Sequence, residues 1–191
     1  PMDPLLSSLA ELGCEVRCEG EDGHFPFTLT AHGFGQDHIS IDIGHSSQFL
    51  SALLIASTLS SEDFMIQVEG THGMAYIEMT QKMMEQFGVE CTFDGDSYHI
   101  KKGQNYQREI YEIEPDVSAA CYFYAMAALT GGRTVVKNVH KDSMQGDLRF
   151  LEVLEKLGCH VTDTEAGIEV TGTNDGHYPG ITCLLYTSDA A

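Results

Sequence analysis

Residues 39–101 read ISIDIGHSSQFLSALLIASTLSSEDFMIQVEGTHGMAYIEMTQKMMEQFGVECTFDGDSYHIK, and the order of patterns within this stretch sets the fold. Ile39, Ile41 and Ile43 alternate with polar residues, which predicts a strand that stops at Gly44. A run of small and apolar residues from Ser46 to Thr58 predicts a helix, and Phe64 to Val68 a second strand. Tyr76, Met79, Thr80, Met83 and Phe87 fall on one face of a further helix, read as a core-packing face, which Gly88 closes. Strands near Val89 to Phe93 and Tyr98 to Lys101 complete the unit, a βαβαββ module.

Working outward, the same ending of helix, Leu-Gly or Phe-Gly, and paired short strands recurs at Gly13, Gly88 and Gly158, about 70 residues apart. Upstream of the last copy, a second small-residue helix at Val117 to Thr130 leads into a strand at Thr134 to Val139. A turn, Ser143-Met144-Gln145-Gly146-Asp147, is expected to cap a helix through Leu157, with strands following near His160 and Ile168. A period of about 70 residues exceeds that of solenoid repeats and predicts duplicated α/β modules (α+β by some schemes) in pseudo-symmetric domains. In the first copy, Asp3 is expected to cap a helix carrying Leu5, Leu6, Leu9 and Leu12 on one face, followed by strands at Glu15 to Cys18 and Phe27 to Ala31. No strand stands ahead of that helix, so the chain is read as a partial two-domain slice of a longer protein that starts mid-module.

Gly103 to Arg108 is polar and loop-like, a strand is expected through Ile113, and a hinge at Glu114-Pro115-Asp116. The expected domains are therefore residues 1–114 and 115–182. The last nine residues, CLLYTSDAA at 183–191, break the pattern and read as translated sequencing adapter. A chain cut within a module would expose apolar faces and a sheet edge, so self-association is expected.

The chain has 191 residues, of which 42% are apolar, enough for one ordinary core or two small ones. Its net charge of −19, with only ten Lys and Arg, argues against nucleic acid and anionic membrane as partners. Six cysteines without CxxC or framework spacing point to a reducing compartment, the cytoplasm. Nine histidines show no HxxxH pattern and no pairing with a Cys at ligand spacing, so no metal site is expected. Met65, Met74, Met79, Met83 and Met84 read as core filler.

Chemistry concentrates at Gly44-His45-Ser46-Ser47-Gln48, where a strand passes directly into a helix. Unpaired backbone N–H groups and two hydroxyls should point together into a cleft there, a geometry that suits a phosphate; the plainer reading makes Ser46 only an N-cap. The corresponding junction at Asp116-Val117-Ser118-Ala119 carries a carboxylate that would repel phosphate. No nucleophile motif, glycine-rich phosphate loop or dinucleotide fingerprint is present, so the chain favours binding over catalysis.

Several blocks occur in one order: Pro1-Met2-Asp3-Pro4-Leu5, Ser46-Ser47-Gln48-Phe49-Leu50-Ser51-Ala52-Leu53-Leu54, Tyr76-Ile77-Glu78-Met79-Thr80, Phe87-Gly88-Val89, Pro115-Asp116-Val117-Ser118 and Ser143-Met144-Gln145-Gly146-Asp147. Together they resemble the 3-phosphoshikimate 1-carboxyvinyltransferase (EPSP synthase) family from Pro1 to about Gly172. The resemblance implies an inside-out α/β barrel fold of two domains, each built from three βαβαββ units and closing over the substrates at the hinge. It implies transfer of the enolpyruvyl group of phosphoenolpyruvate to the 5-hydroxyl of shikimate 3-phosphate, in the shikimate pathway to aromatic amino acids. It also implies a monomeric parent in the cytoplasm that needs no cofactor.

By the same resemblance, Ser46 and Ser47 would hold the phosphate of shikimate 3-phosphate, Gln48 would sit between the two substrates, and Tyr76 would line the shikimate pocket. Gly73 and Ala119 stand where family members commonly carry serines, and Asp116 lies at the expected hinge. The family's catalytic cations and acids have no counterpart in this sequence, so no catalytic residue is assigned and the chain alone is expected to be inactive. Two alternatives are a fragment of the UDP-N-acetylglucosamine enolpyruvyl transferase and a non-catalytic βαβαββ binding module.

Overall fold

The β-branched alternation at residues 39–43 produces β3 (His38–Asp42), which pairs in parallel with β4 (Phe64–Glu69) from His38 opposite Met65 to Asp42 opposite Glu69. Parallel partners need a crossover. Here α2 (Gln48–Ala56) and a 3₁₀ turn (Ser57–Leu59) supply it. The computed structural model describes residues 2–44, 46–173 and 178–182, and it divides into two compact units, one ending at Glu109 and the other beginning at Ile110. Residues 183–191, read above as adapter, lie outside the described residues, as do His45 and His177.

In unit 1, α3 (Met74–Gln86) follows β4, and an antiparallel hairpin of β5 (Cys91–Phe93) and β6 (Ser97–Ile100) closes the module. The sheet order is β3-β4-β6-β5. Ile39, Ile41, Ile43 and Ile66 from the sheet meet Leu50, Leu53 and Leu54 of α2 and Ile77 and Met84 of α3 in one core. Ahead of the module, α1 (Asp3–Glu11) and the two-stranded ribbon of β1 (Glu15–Cys18) and β2 (Phe27–Thr30) repeat its last three elements. Leu12 is fully buried in the same core, with Leu5 and Leu9 packed against it.

Unit 2 holds α4 (Val117–Thr130), β7 (Arg133–Lys137), a 3₁₀ turn (Gly146–Leu148), α5 (Arg149–Lys156), β8 (His160–Thr164) and β9 (Gly167–Thr171). Its order, β7-β9-β8, reproduces β4-β6-β5 of unit 1, so the duplication read from the glycine spacing is physical. Val117, Tyr124, Val139, Leu151, Leu154, Ile168 and Val170 form its core. At Gly167, where φ is +134°, a Cβ would fall 2.1 Å from the Val136 carbonyl oxygen, so only glycine lets β9 start beside β7.

Three expectations are corrected. Asp3 is the first residue of α1 and makes no capping bond, Met2 being the N-cap. The strand expected through Ile113 does not form: residues 101–116 carry no helix or strand, and Ile110 and Ile113 are 84% and 83% exposed. Residues three apart lie on opposite faces of a strand, so these two isoleucines cannot share a buried side. The core face of α3 belongs to Ile77 and Met84. Met79, Thr80, Met83 and Phe87 line, with Ile55, Tyr106 and the edge of Met84, an open cavity of about 420 Å³.

Tyr124 gives the first prediction. Its ring is fully buried and its hydroxyl has no hydrogen-bond partner among the described residues. Burial pushes its pKa up to about 12. Leaving a buried donor unmet costs about 1–3 kcal/mol. Tyr124→Phe is therefore expected to leave unit 2 as stable or up to about 1 kcal/mol more stable, whereas Tyr124→Ala should cost about 3–5 kcal/mol, both read from urea midpoints.

The β5–β6 hairpin gives the second. His99 bonds Asp94 at 2.8 Å, and the Ser97 and Asp96 N–H groups bond the same carboxyl, holding its pKa down to about 2. Because that pKa lies below the unfolded value of about 3.9, the stabilisation is complete above pH 4 and disappears as pH falls toward 2. Asp94→Asn should remove this part of the acid sensitivity, measured as the slope of the urea midpoint between pH 4 and pH 2.

Candidate functional site

Because β3 and β4 run in parallel, both end on the same side of the sheet, and each feeds directly into a helix. The ladder continues one step past β3, where the Ile43 N–H donates to the Glu69 carbonyl at 2.9 Å. Gly44 and Gly70 then bring the two exits into contact: a Cβ on Gly70, where φ is +92°, would stand 3.3 Å from the Gly44 nitrogen. The Gly44 N–H donates to Asp42 Oδ1 at 2.7 Å, turning the chain toward α2.

Two helix N-termini therefore stand at one end of unit 1. α2 starts behind Ser47, its N-cap, and Ser46 Oγ accepts from the Gln48 N–H at 3.3 Å. α3 starts behind Gly73, its N-cap, which is left-handed at φ 65°, and the Tyr76 N–H donates to the Gly73 carbonyl at 2.9 Å. Thr80 Oγ1 donates to the Tyr76 carbonyl at 3.0 Å and shares a hydroxyl–hydroxyl hydrogen bond with Ser51 Oγ at 2.9 Å, fixing the two helices side by side. Their combined dipoles favour an anion at this end.

The three residues Ser46, Ser47 and Gln48 do not present one common surface. Ser46 is half-buried, Ser47 fully buried and Gln48 exposed. Successive residues of a helical start point about 100° apart, so neighbours diverge where sequence alone suggested parallel hydroxyls. Gly73 and Tyr76 are half-buried. No Lys or Arg occurs anywhere from Cys18 to Gln81, so this stretch offers an anion hydroxyls, backbone N–H groups and histidine but no permanent cation. Asp42, exposed at the same end, opposes an anion.

The corresponding start of α4 is closed. Asp116 is its N-cap and accepts from the Ala119 N–H at 3.2 Å, while the Val117 N–H donates to Gln145 Oε1 at 2.9 Å. Ser118 donates to the Asp147 carboxylate. The Ser143–Asp147 turn was expected to cap the helix that follows; instead its side chains reach back to residues 114–118. Nothing in the local spacing announces that pairing, although both segments stand out as motifs.

Among the described residues, no group of three or more His, Cys, Asp or Glu is placed to hold a metal ion, and no helix is long and apolar enough to cross a membrane. Burial pushes the Cys91 and Cys121 thiols up to about 11, which keeps both protonated and unreactive at neutral pH.

The family model for EPSP synthase (3-phosphoshikimate 1-carboxyvinyltransferase) matches residues 1–187. A 3-phosphoshikimate 1-carboxyvinyltransferase of Nostoc punctiforme is 43% identical over 174 residues, covering 90% of this chain and 41% of its own length. The chloroplastic enzyme of that name from Brassica napus is 38% identical, over 90% of this chain and 34% of its own length. The pentafunctional AROM polypeptide of Eremothecium gossypii is 36% identical, over 92% of this chain and 12% of its own length. In fold, the chain is similar to EPSP synthase from Acinetobacter baumannii, with a TM-score of 0.69 at 22% identity, covering 91% of this chain and 40% of that one. The chain thus spans about two fifths of the first of these relatives, and over that span it belongs to the EPSP synthase family.

Proposed function

We propose that the protein to which this chain belongs transfers the enolpyruvyl group of phosphoenolpyruvate to the 5-hydroxyl of shikimate 3-phosphate, releasing phosphate. The observation that carries this reading is the pair of helix starts at one end of unit 1, in a chain 43% identical to a relative of that name. Unit 1 is then part of the shikimate 3-phosphate domain, and unit 2 is the first module of the second domain.

Ser46, Ser47, Gln48, Gly73 and Tyr76 are the substrate-binding residues in this reading. The Ser46 hydroxyl accepts from the Gln48 N–H, which leaves its own proton to donate toward a phosphate oxygen. Ser47, the buried N-cap of α2, is assigned with Ser46 to the phosphate of shikimate 3-phosphate. Gln48 projects from the first turn toward the second substrate, and Tyr76 walls the sugar-like ring. Gly73 supplies the left-handed turn that lets α3 begin there. No residue of this chain is assigned a part in the proton transfers.

Two anionic substrates meet a stretch without Lys or Arg, so the 191-residue chain should bind weakly. A Kd for shikimate 3-phosphate of about 1 mM or weaker is expected by calorimetry, equivalent to about −4 kcal/mol. Ser46→Ala should weaken it about tenfold, the loss of one hydrogen bond to a charged acceptor. Equal affinity in the variant, or tighter binding of UDP-N-acetylglucosamine than of shikimate 3-phosphate, would refute the assignment. Gly73→Ser, which places a side chain at φ 65°, is expected to cost about 1–2 kcal/mol of stability by urea titration.

A further inference from the structure

The chain is fastened where it leaves unit 1 and again where it enters unit 2. In unit 1, Gln104 Oε1 accepts from the Glu90 N–H at 2.7 Å, while its amide nitrogen donates to the Glu90 and Lys101 carbonyls at 2.9 and 3.1 Å. The Tyr106 hydroxyl donates to the Ile55 carbonyl at 2.9 Å, and the Gln107 N–H to the Phe87 carbonyl at 2.9 Å.

In unit 2, one side chain does most of the fastening. Gln145 Nε2 donates to the Pro115 carbonyl at 2.8 Å and to Glu114 Oε2 at 3.2 Å, and Gln145 Oε1 accepts from the Val117 N–H at 2.9 Å. Ser143 Oγ donates to the same Glu114 oxygen at 2.5 Å and accepts from the Gln145 N–H at 3.1 Å. All four residues Glu114, Pro115, Ser143 and Gln145 are half-buried, so water competes incompletely for these bonds. Only a carboxamide of this length offers both an acceptor and two donors. A glutamate there would lose the donors and face Glu114 with a like charge.

We propose that Gln145 is a clasp that makes Glu114–Ser118 a rigid part of unit 2, placing the joint between the units upstream of Glu114. Asp116 then moves with α4 as its cap and does not serve as the pivot. The clasp also occupies the first amide of α4, so this helix start is shut to ligands by its own chain.

The readout is amide exchange at Val117 in the full chain. First-turn amides of a helix ordinarily lack an intrahelical partner and exchange readily. In the unaltered protein, Val117 is expected to exchange at least about tenfold more slowly than Glu112 and Ile113. Gln145→Leu should abolish that difference while the amides of β9 keep their protection; Glu114→Gln, which preserves an acceptor, should leave it intact. If Gln145→Leu also removes protection from β9, Ser143→Ala provides the test, with Val117 exchange expected to accelerate about threefold or more. Val117 exchanging as fast as Ile113 in the unaltered protein, or unaffected in the variant that keeps β9 protected, would overturn the proposal.

Discussion

The parallel pairing of β3 with β4 is the constraint on which unit 1 depends. A parallel pair cannot be joined by a hairpin, so the chain must cross back over the sheet, and the charge-free run Gln48–Ala56 is the segment that does so. The crossover buries Leu50, Leu53 and Leu54 against Ile39, Ile41, Ile43 and Ile66. At about 1.5–3 kcal/mol for each fully buried aliphatic side chain, this layer is the main source of stability in the unit. It also forces α2 and α3 to begin at the same end of the sheet, which is what gives that end its electrostatic character.

Among the described residues, unit 2 repeats the module without the parallel pair: β7, β9 and β8 are wholly antiparallel. Its first helix has no neighbouring helix start reached through a parallel ladder, and acids and an amide of the same unit fill its opening turn. Duplicated sequence has thus produced two helix starts of opposite character. One combines hydroxyls and backbone donors, with Asp42 as the opposing charge nearby in sequence; the other is sealed by Asp116, Asp147 and Gln145.

The parts of this architecture governed by period were legible in the sequence. Alternating isoleucines, the small-residue helices and the closing glycines all report local geometry, and the elements they predict are present within a few residues of the expected ends. What could not be read depends on direction and on distant partners. The burial of Ser47 between a half-buried Ser46 and an exposed Gln48 follows from helix geometry at one turn, not from residue type. Of the methionines of α3, Met84 reaches both the core and the open cavity while Met79 and Met83 line the cavity, a division that helical period alone does not set. The bond from Val117 to Gln145 joins residues 28 apart, and only the folded chain brings them together.

In the proposed function, the two helix starts at the ends of β3 and β4 form one anion-binding end. Amide exchange of the chain with and without saturating shikimate 3-phosphate tests it most directly. Added protection is expected at residues 46–48 and 74–76, and none at 117–119. Protection at 117–119, or protection nowhere with binding established by calorimetry, would contradict it.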